Sequence, residues 1–187
     1  AAYTAALIAF LCLPLALLVV HSCNANRYIS RWEGPTLRWY AELLEDEEVR
    51  RATINSLAVA ALSALMSTAM GAMVAYASSR SPVGSTLIDT LLYVPIVIPE
   101  IIEAVSLLML FYFSNVRLGF YTVLIGHTAY NVSFAYISLK PQFQLTSRRL
   151  EETALTLGAR PHQVFLRVLL PLSAPGMVAS TIITFSM

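Results

Sequence analysis

Apolar residues come in long runs instead of the one-sided stripes of a water-facing fold. The runs cover residues 2–20, 55–79, 86–113 and 120–139, and a fifth begins near Leu172 and is still apolar at Met187. An apolar helix needs roughly 20 residues to cross the hydrocarbon core of a bilayer. The pattern therefore predicts an all-α polytopic transmembrane bundle with five visible spans. Pro14 predicts a kink in the first span. A secretory signal peptide is the rival for that run, but no Lys or Arg precedes it and further spans follow. Because the chain stops inside an apolar run and lacks an initiator Met, further chain is expected at both ends.

The connections differ in character. Residues 23–54 are polar, with Tyr28, Trp32, Trp39 and Tyr40 suited to an interfacial belt. Within them Glu45, Asp46, Glu47 and Glu48 precede Arg50 and Arg51, and acidic residues suit the positive end of a helix running on into the second span. The turns at Arg80–Gly84 and Ser114–Gly119 are short, and residues 140–171 form the largest polar stretch on the opposite side. On the second span, Ser67, Gly71 and Ala75 repeat every four positions, as do Ala60, Ala64, Thr68 and Ala72. Such stripes let a neighbouring helix backbone approach closely, although a lipid-facing Ala-rich helix would read the same way.

Composition agrees with the membrane reading. The 187 residues are 57% apolar and 12% charged, against about 45–50% and about 25% in soluble domains. Net charge is +1, so no general attraction to nucleic acid is expected. Cys12 and Cys23 on one helix would lie about 16 Å apart, beyond disulfide reach. Positive charge does not orient the chain. One side carries Arg27, Arg31, Arg38, Arg50, Arg51 and Arg117; the other carries Arg80, Lys140, Arg148, Arg149, Arg160 and Arg167.

The segment Glu152-Thr153-Ala154-Leu155-Thr156-Leu157-Gly158 is followed nine residues later by Val168-Leu169-Leu170-Pro171. Ser147 can cap a short helix over Arg148–Leu157, with Leu150, Ala154 and Leu157 on one face. Gly158 permits a left-handed turn, and Pro161 is placed to open a second short helix over His162–Leu169. Val164, Phe165 and Val168 form its apolar stripe. Two amphipathic helices round a glycine elbow make a shape that fits a groove on a partner.

Here the chain resembles the membrane permease subunits of ABC importers. Their cytoplasmic loop carries E-A-A, three residues, G, nine residues, I, one residue and L-P. Glu152, Ala154, Gly158, Val168, Leu170 and Pro171 match, while Thr153 and Val168 stand where Ala and Ile are usual. The resemblance implies the type I ABC importer permease fold in a bacterial plasma (inner) membrane, and a sixth span beyond Met187. It places residues 140–171 in the cytoplasm as the coupling loop and residues 23–54 outside. Glu152, Ala154, Leu157, Gly158, Ala159 and Pro161 become the expected ATPase-coupling residues. It further implies a dimer of ATP-binding subunits, a second homologous permease subunit and an extracytoplasmic substrate-binding protein. No cofactor is expected in this chain, ATP-Mg being bound by the partner subunit. The chain has no G-x-x-x-x-G-K-[ST] loop of its own and no clustered metal ligands.

Leu157-Gly158-Ala159, Leu170-Pro171-Leu172 and Pro175-Gly176 look like the spermidine/putrescine branch of that family; sugar permeases usually have Asp where Leu157 stands. Trp39-Tyr40 ahead of Asn55-Ser56-Leu57, and Pro99-Glu100-Ile101-Ile102 ahead of Ser106-Leu107-Leu108, look like it too. Iron, thiamine, phosphonate and molybdate permeases share much of this grammar.

A carboxylate at mid-bilayer costs about 2.5–3.5 kcal/mol, so Glu100 and Glu103 are expected to face protein or a wet cavity. If the third run is near-helical, Asp89, Tyr93, Ile96, Glu100 and Glu103 share one face. On the fourth run His127, Asn131 and Ser138 share another, with Phe134 between them. Glu100, Glu103, Tyr93, His127 and Asn131 are the candidate substrate-path residues, acids and aromatics suiting an elongated organic cation. Helix capping by Glu100 after Pro99, and interhelical bonding by His127 and Asn131, remain rivals. The sequon Asn131-Val132-Ser133 lies inside a span and is a chance match. From other functional classes, a membrane-embedded enzyme would use Glu100, Glu103 and His127 as acid–base groups, and a channel would need no ATPase.

Overall fold

The computed structural model describes residues 2–28, 30–80, 85–146 and 148–187. Among these the chain is helical, with an isolated antiparallel bridge between Asn24 and Pro35. Residues 81–84 of the first short turn, and the proposed cap Ser147, lie outside the described residues. The chain forms two compact units, Ala1–Ile54 and Asn55–Met187.

In the first unit α1 (Ala2–Ser22) is one continuous helix through Pro14. Its side chains from Leu7 to Val20 are exposed, which is what a lipid-facing helix presents. Cys12 and Cys23 are both free. The polar segment that follows is knitted around Asn24, which is buried. Its Nδ2 donates to the Arg31 carbonyl (2.6 Å), and its Oδ1 accepts from the Glu33 N–H (2.9 Å). The Trp39 indole, on α2 (Arg38–Glu45), donates to the Asn24 carbonyl at 2.8 Å, so this ring is tied to the loop as well as amphipathic. The Asp46 carboxylate accepts from the N–H groups of Glu48 and Val49 and so caps α3 (Glu47–Arg80). The acidic cluster thus opens a helix that continues without a break into the second apolar run.

The second unit contains the rest of α3, then α4 (Ser85–Val97), α5 (Glu100–Phe113) and α6 (Phe120–Leu145). Beyond these come α7 (Arg148–Thr156), α8 (Pro161–Val164), a π-helical turn at Phe165–Leu169, α9 (Leu170–Leu172) and α10 (Ala174–Ser186). The third apolar run is not one helix: α4 and α5 meet at 104°. Pro99 disfavours helical backbone at Ile98 and itself sits at ψ 129°, so the chain leaves the helix there and restarts at Glu100. The helices over Pro161–Leu172 and Ala174–Ser186 likewise meet at 73°. By length and composition α1 and α3 can each cross a bilayer alone, and each bent pair can do so only if its two arms count as one span. α6 has 26 residues, long enough to cross, but Thr128, Asn131 and Ser133 dilute its apolar character. These polar residues are buried among the neighbouring helices.

The core of this unit forms where α3 and α6 cross. Ala72, Ala75, Tyr136, Leu139 and Phe143 are buried together, with Ile88 and Leu92 of α4, Phe165 and Met177 packed around them. Both small-residue stripes of α3 turn inward, burying Ala64, Ser67, Thr68, Gly71, Ala72 and Ala75. Gly71 lies directly on the α6 backbone at Ala135 and Tyr136. The stripes therefore serve packing within this chain.

Candidate functional site

Bending the α4–α5 segment decides which candidate residues meet. α5 lies against α6 and borders an open cavity of about 350 Å³, lined on the α5 side by Glu100, Glu103, Leu107 and Phe111. His127 and Tyr130 line it from α6. The Tyr130 hydroxyl donates to Glu100 Oε1 at 2.8 Å. Glu103, one turn along the same face, has its Oε2 buried with no hydrogen-bond partner among the described residues. The cavity thus offers one carboxylate already engaged by a phenol and one unengaged, with apolar walls beyond them.

Glu100, Glu103 and His127 are brought together as one lining. Tyr93 is not: the bend sends it with Asp89 to a separate recess along α4, bounded by Val94, Val97 and Ile98. The expectation of a single face running from Asp89 to Glu103 is corrected by that bend. Asn131 is buried and turned towards α10, its Nδ2 donating to the Thr184 carbonyl at 3.1 Å. That is the interhelical bond which was its rival reading. Tyr130 was missed; its signal was a position three residues after His127 and four before Phe134, whose ring it meets at 5.0 Å.

The loop over residues 148–171 has the expected elbow. α7 ends at Thr156, and Gly158 takes φ +88° while the N–H groups of Gly158 and Ala159 bond back to Leu155 and Ala154. α8 starts at Pro161, and the Arg160 N–H is held by Gln163 Oε1 at 2.9 Å. Instead of one helix to Leu169, the chain widens into the π turn after Val164. Glu152, Leu157 and Pro161 are exposed, whereas Ala154 and Ala159 are half-buried. With Leu150, Leu155 and Leu166 also exposed, the elbow carries an apolar outer surface. A Cβ on Gly158 would meet nothing within 4 Å, so Gly158→Ala is expected to cost only the left-handed backbone strain, about 1–2 kcal/mol. Thermal unfolding of the purified chain should show that loss, and Gly158→Asn should show less of it.

Several long-range contacts carry no signal in the sequence. Arg80, at the end of α3, forms an ion pair with Glu151 and donates to the Thr146 carbonyl at 3.3 Å. Tyr76 donates to Glu151 Oε2 at 3.2 Å. Asp89 at the start of α4 accepts from the Tyr136 hydroxyl and pairs with Lys140. The Ser78 and Tyr136 hydroxyls are 2.8 Å apart. No local sequence pattern joins these residues, which are dozens of positions apart.

Apolar broken helices around a cavity, with an exposed elbow carried on a polar loop, are the build of a membrane permease subunit. Residues 54–187 match the family described as binding-protein-dependent transport system inner membrane component, and the chain belongs to that family. It is accordingly a multi-pass inner-membrane protein with the all-α permease fold. It is similar to the spermidine/putrescine transport system permease protein PotC of Escherichia coli (strain K12), 30% identical over 186 residues. That match covers 99% of this chain and 70% of the relative. The putrescine transport system permease protein PotI of the same strain is 28% identical over 186 residues, covering 95% of this chain and 66% of the relative. The molybdate/tungstate transport system permease protein WtpB of Pyrococcus abyssi is 30% identical over 151 residues, covering 80% and 60% respectively.

Proposed function

We propose that this chain forms the substrate path of an ATP-driven importer for a polyamine such as spermidine or putrescine. The observation that carries the substrate class is the cavity holding Glu100 and Glu103 with Tyr130 and apolar walls. Carboxylates pair with ammonium groups, and the apolar lining suits the methylene stem between them. An oxyanion of the molybdate kind would be repelled by the same two carboxylates. The names of PotC and PotI support the same substrate class.

In this reading an extracytoplasmic binding protein delivers the substrate. One of a pair of ATP-binding subunits, which hold ATP-Mg, docks on the elbow around Glu152, Ala154, Leu157, Gly158, Ala159 and Pro161. A homologous permease completes the path. Closure of the ATPases moves the elbow, and the helices alternate the cavity between the two sides of the membrane. Tyr93 and Asn131 act outside the cavity, as a wall of the α4 recess and as a helix tie.

The test is uptake of radiolabelled spermidine and putrescine by the intact complex, competed with iron and with thiamine. Polyamine uptake should resist both competitors. In Glu100→Gln/Glu103→Gln it should fall by about 10-fold or more, the loss of at least one charge-assisted contact of about 1.5–3 kcal/mol. A wild-type complex that takes up no polyamine, or a double variant that takes it up normally, ends the assignment.

A further inference from the structure

α7 buries one residue, Glu151, half-buries Ala154 and exposes the others. That carboxylate reaches the last turn of α3, where the Arg80 guanidinium and the Tyr76 hydroxyl hold it. Both charged side chains are mostly shielded, at 16% and 10% exposure for Arg80 and Glu151. A shielded pair loses far more on breaking than a surface pair, because the remaining charge is stranded. The same loop grips α3 a second time, through Phe165, whose ring lies 5.1 Å from that of Tyr76. Phe143 of α6 meets Tyr76 at 5.9 Å. α3 therefore ends in a socket made by the loop and α6.

A second set of contacts leaves that socket for the cavity. Ser78, two residues from both Tyr76 and Arg80, meets the Tyr136 hydroxyl of α6. Tyr136, fully buried, donates onward to Asp89 in the first turns of α4, and Lys140 holds the same carboxylate. α4 leads through the bend at Pro99 to α5, which carries Glu100 and Glu103. Contacts thus run from α7 to α3, from α3 to α6 and from α6 to α4. While these polar contacts hold, a shift of the loop is passed from helix to helix to the base of α4.

We propose that Glu151, Arg80, Ser78, Tyr136 and Asp89 form a polar relay that converts movement of the loop over residues 148–169 into movement of the α4–α5 pair. Glu151 is a positioning residue in it, the point where the loop holds α3. The inference rests on the importer reading above but does not depend on which solute is carried.

The experiment uses the full chain in complex with its ATPase subunits in lipid nanodiscs, with Cys12 and Cys23 replaced by serine. A single reporter thiol is placed by Leu108→Cys, at a residue of α5 that also lines the cavity. Its rate of reaction with a maleimide is measured with and without ATP-Mg and vanadate, alongside ATP hydrolysis and retention of the ATPase subunits. In the parent complex ATP changes the labelling rate. In Glu151→Gln and in Tyr136→Phe that ATP-dependent change should shrink by about 5-fold or more, the low end of ordinary coupling between sites. The ATPase subunits should stay bound and hydrolysing. The charge exchange Arg80→Glu/Glu151→Arg should restore part of the response.

An unchanged response in Glu151→Gln overturns the relay and leaves the importer reading intact. So does loss of the ATPase subunits in both Glu151→Gln and the charge exchange, which would make the pair a structural anchor. A parent complex that holds no ATPase, or whose cavity ignores ATP, overturns the importer reading and the relay together.

Discussion

Gly71→Ala is expected to destabilise the chain by about 1–3 kcal/mol, the usual cost of one methyl group too many in a full core. A Cβ at this position would stand 2.6 Å from the Ala135 Cβ, 2.9 Å from the Tyr136 nitrogen and 3.0 Å from the Ala135 carbonyl carbon. None of these atoms is the free end of a flexible side chain. Relief requires α3 and α6 to move apart over the cluster of Ala72, Ala75, Tyr136, Leu139 and Phe143. In a bilayer that separation is not resisted by water-driven burial, since lipid tails solvate the exposed surfaces, but by lost van der Waals contact and interhelical bonds. Gly71→Leu should be worse, because no rotamer avoids the α6 backbone. Gly126→Ala is the control: the same element type, with one side-chain atom at 3.6 Å. There the gain in helix propensity, about 0.5–1 kcal/mol, should leave stability equal or raised. Thermal inactivation of the purified protein in detergent separates the three. A Gly71→Ala midpoint equal to that of Gly126→Ala would mean that α3 and α6 do not approach as closely as described.

The small-residue repeat was legible because close helix approach leaves a local signature every four residues, at Ser67, Gly71 and Ala75. What met it was not legible, because Ala135 and Tyr136 lie far along the chain and show no matching stripe. The elbow was legible for a similar reason: Gly158 permits a left-handed backbone and Pro161 fixes its own φ near a helix start, and both take the conformation expected. The π turn after Val164 gave no signal in an otherwise ordinary amphipathic run. Pro99 marked a break in the third run but not its size. At 104° it separates Tyr93 from Glu100, which a straight helix would have aligned. Among the acids, Glu100 and Glu103 stood out because a charge inside an apolar run is costly. Glu151 did not, because it sits in a loop where acids are ordinary, and only the fold brings Arg80 and Tyr76 to it.

Tyr136→Ala should carry the largest cost of any single truncation in the second unit, about 3–5 kcal/mol. Tyr136 is the bulkiest of the fully buried side chains. Its ring fills the space between α3 and α6, and its hydroxyl serves Ser78 on one helix and Asp89 on another. Truncation leaves both a cavity and two polar groups without their shared partner. Tyr136→Phe isolates the second effect. It keeps the packing and should cost about 1–3 kcal/mol, the penalty for stranding partly buried polar groups. Lys140 still neutralises Asp89 in that variant, which should keep it at the low end. Ser78→Ala offers the cross-check, because the hydroxyl contact exists once and can be lost only once. The double variant Ser78→Ala/Tyr136→Phe should therefore fall short of the sum of the singles by about 0.5 kcal/mol or more. Thermal or denaturant unfolding in detergent measures all four proteins under one condition. Strict additivity would mean that the two hydroxyls do not meet, and a Tyr136→Ala protein as stable as Tyr136→Phe would remove the ring from the core.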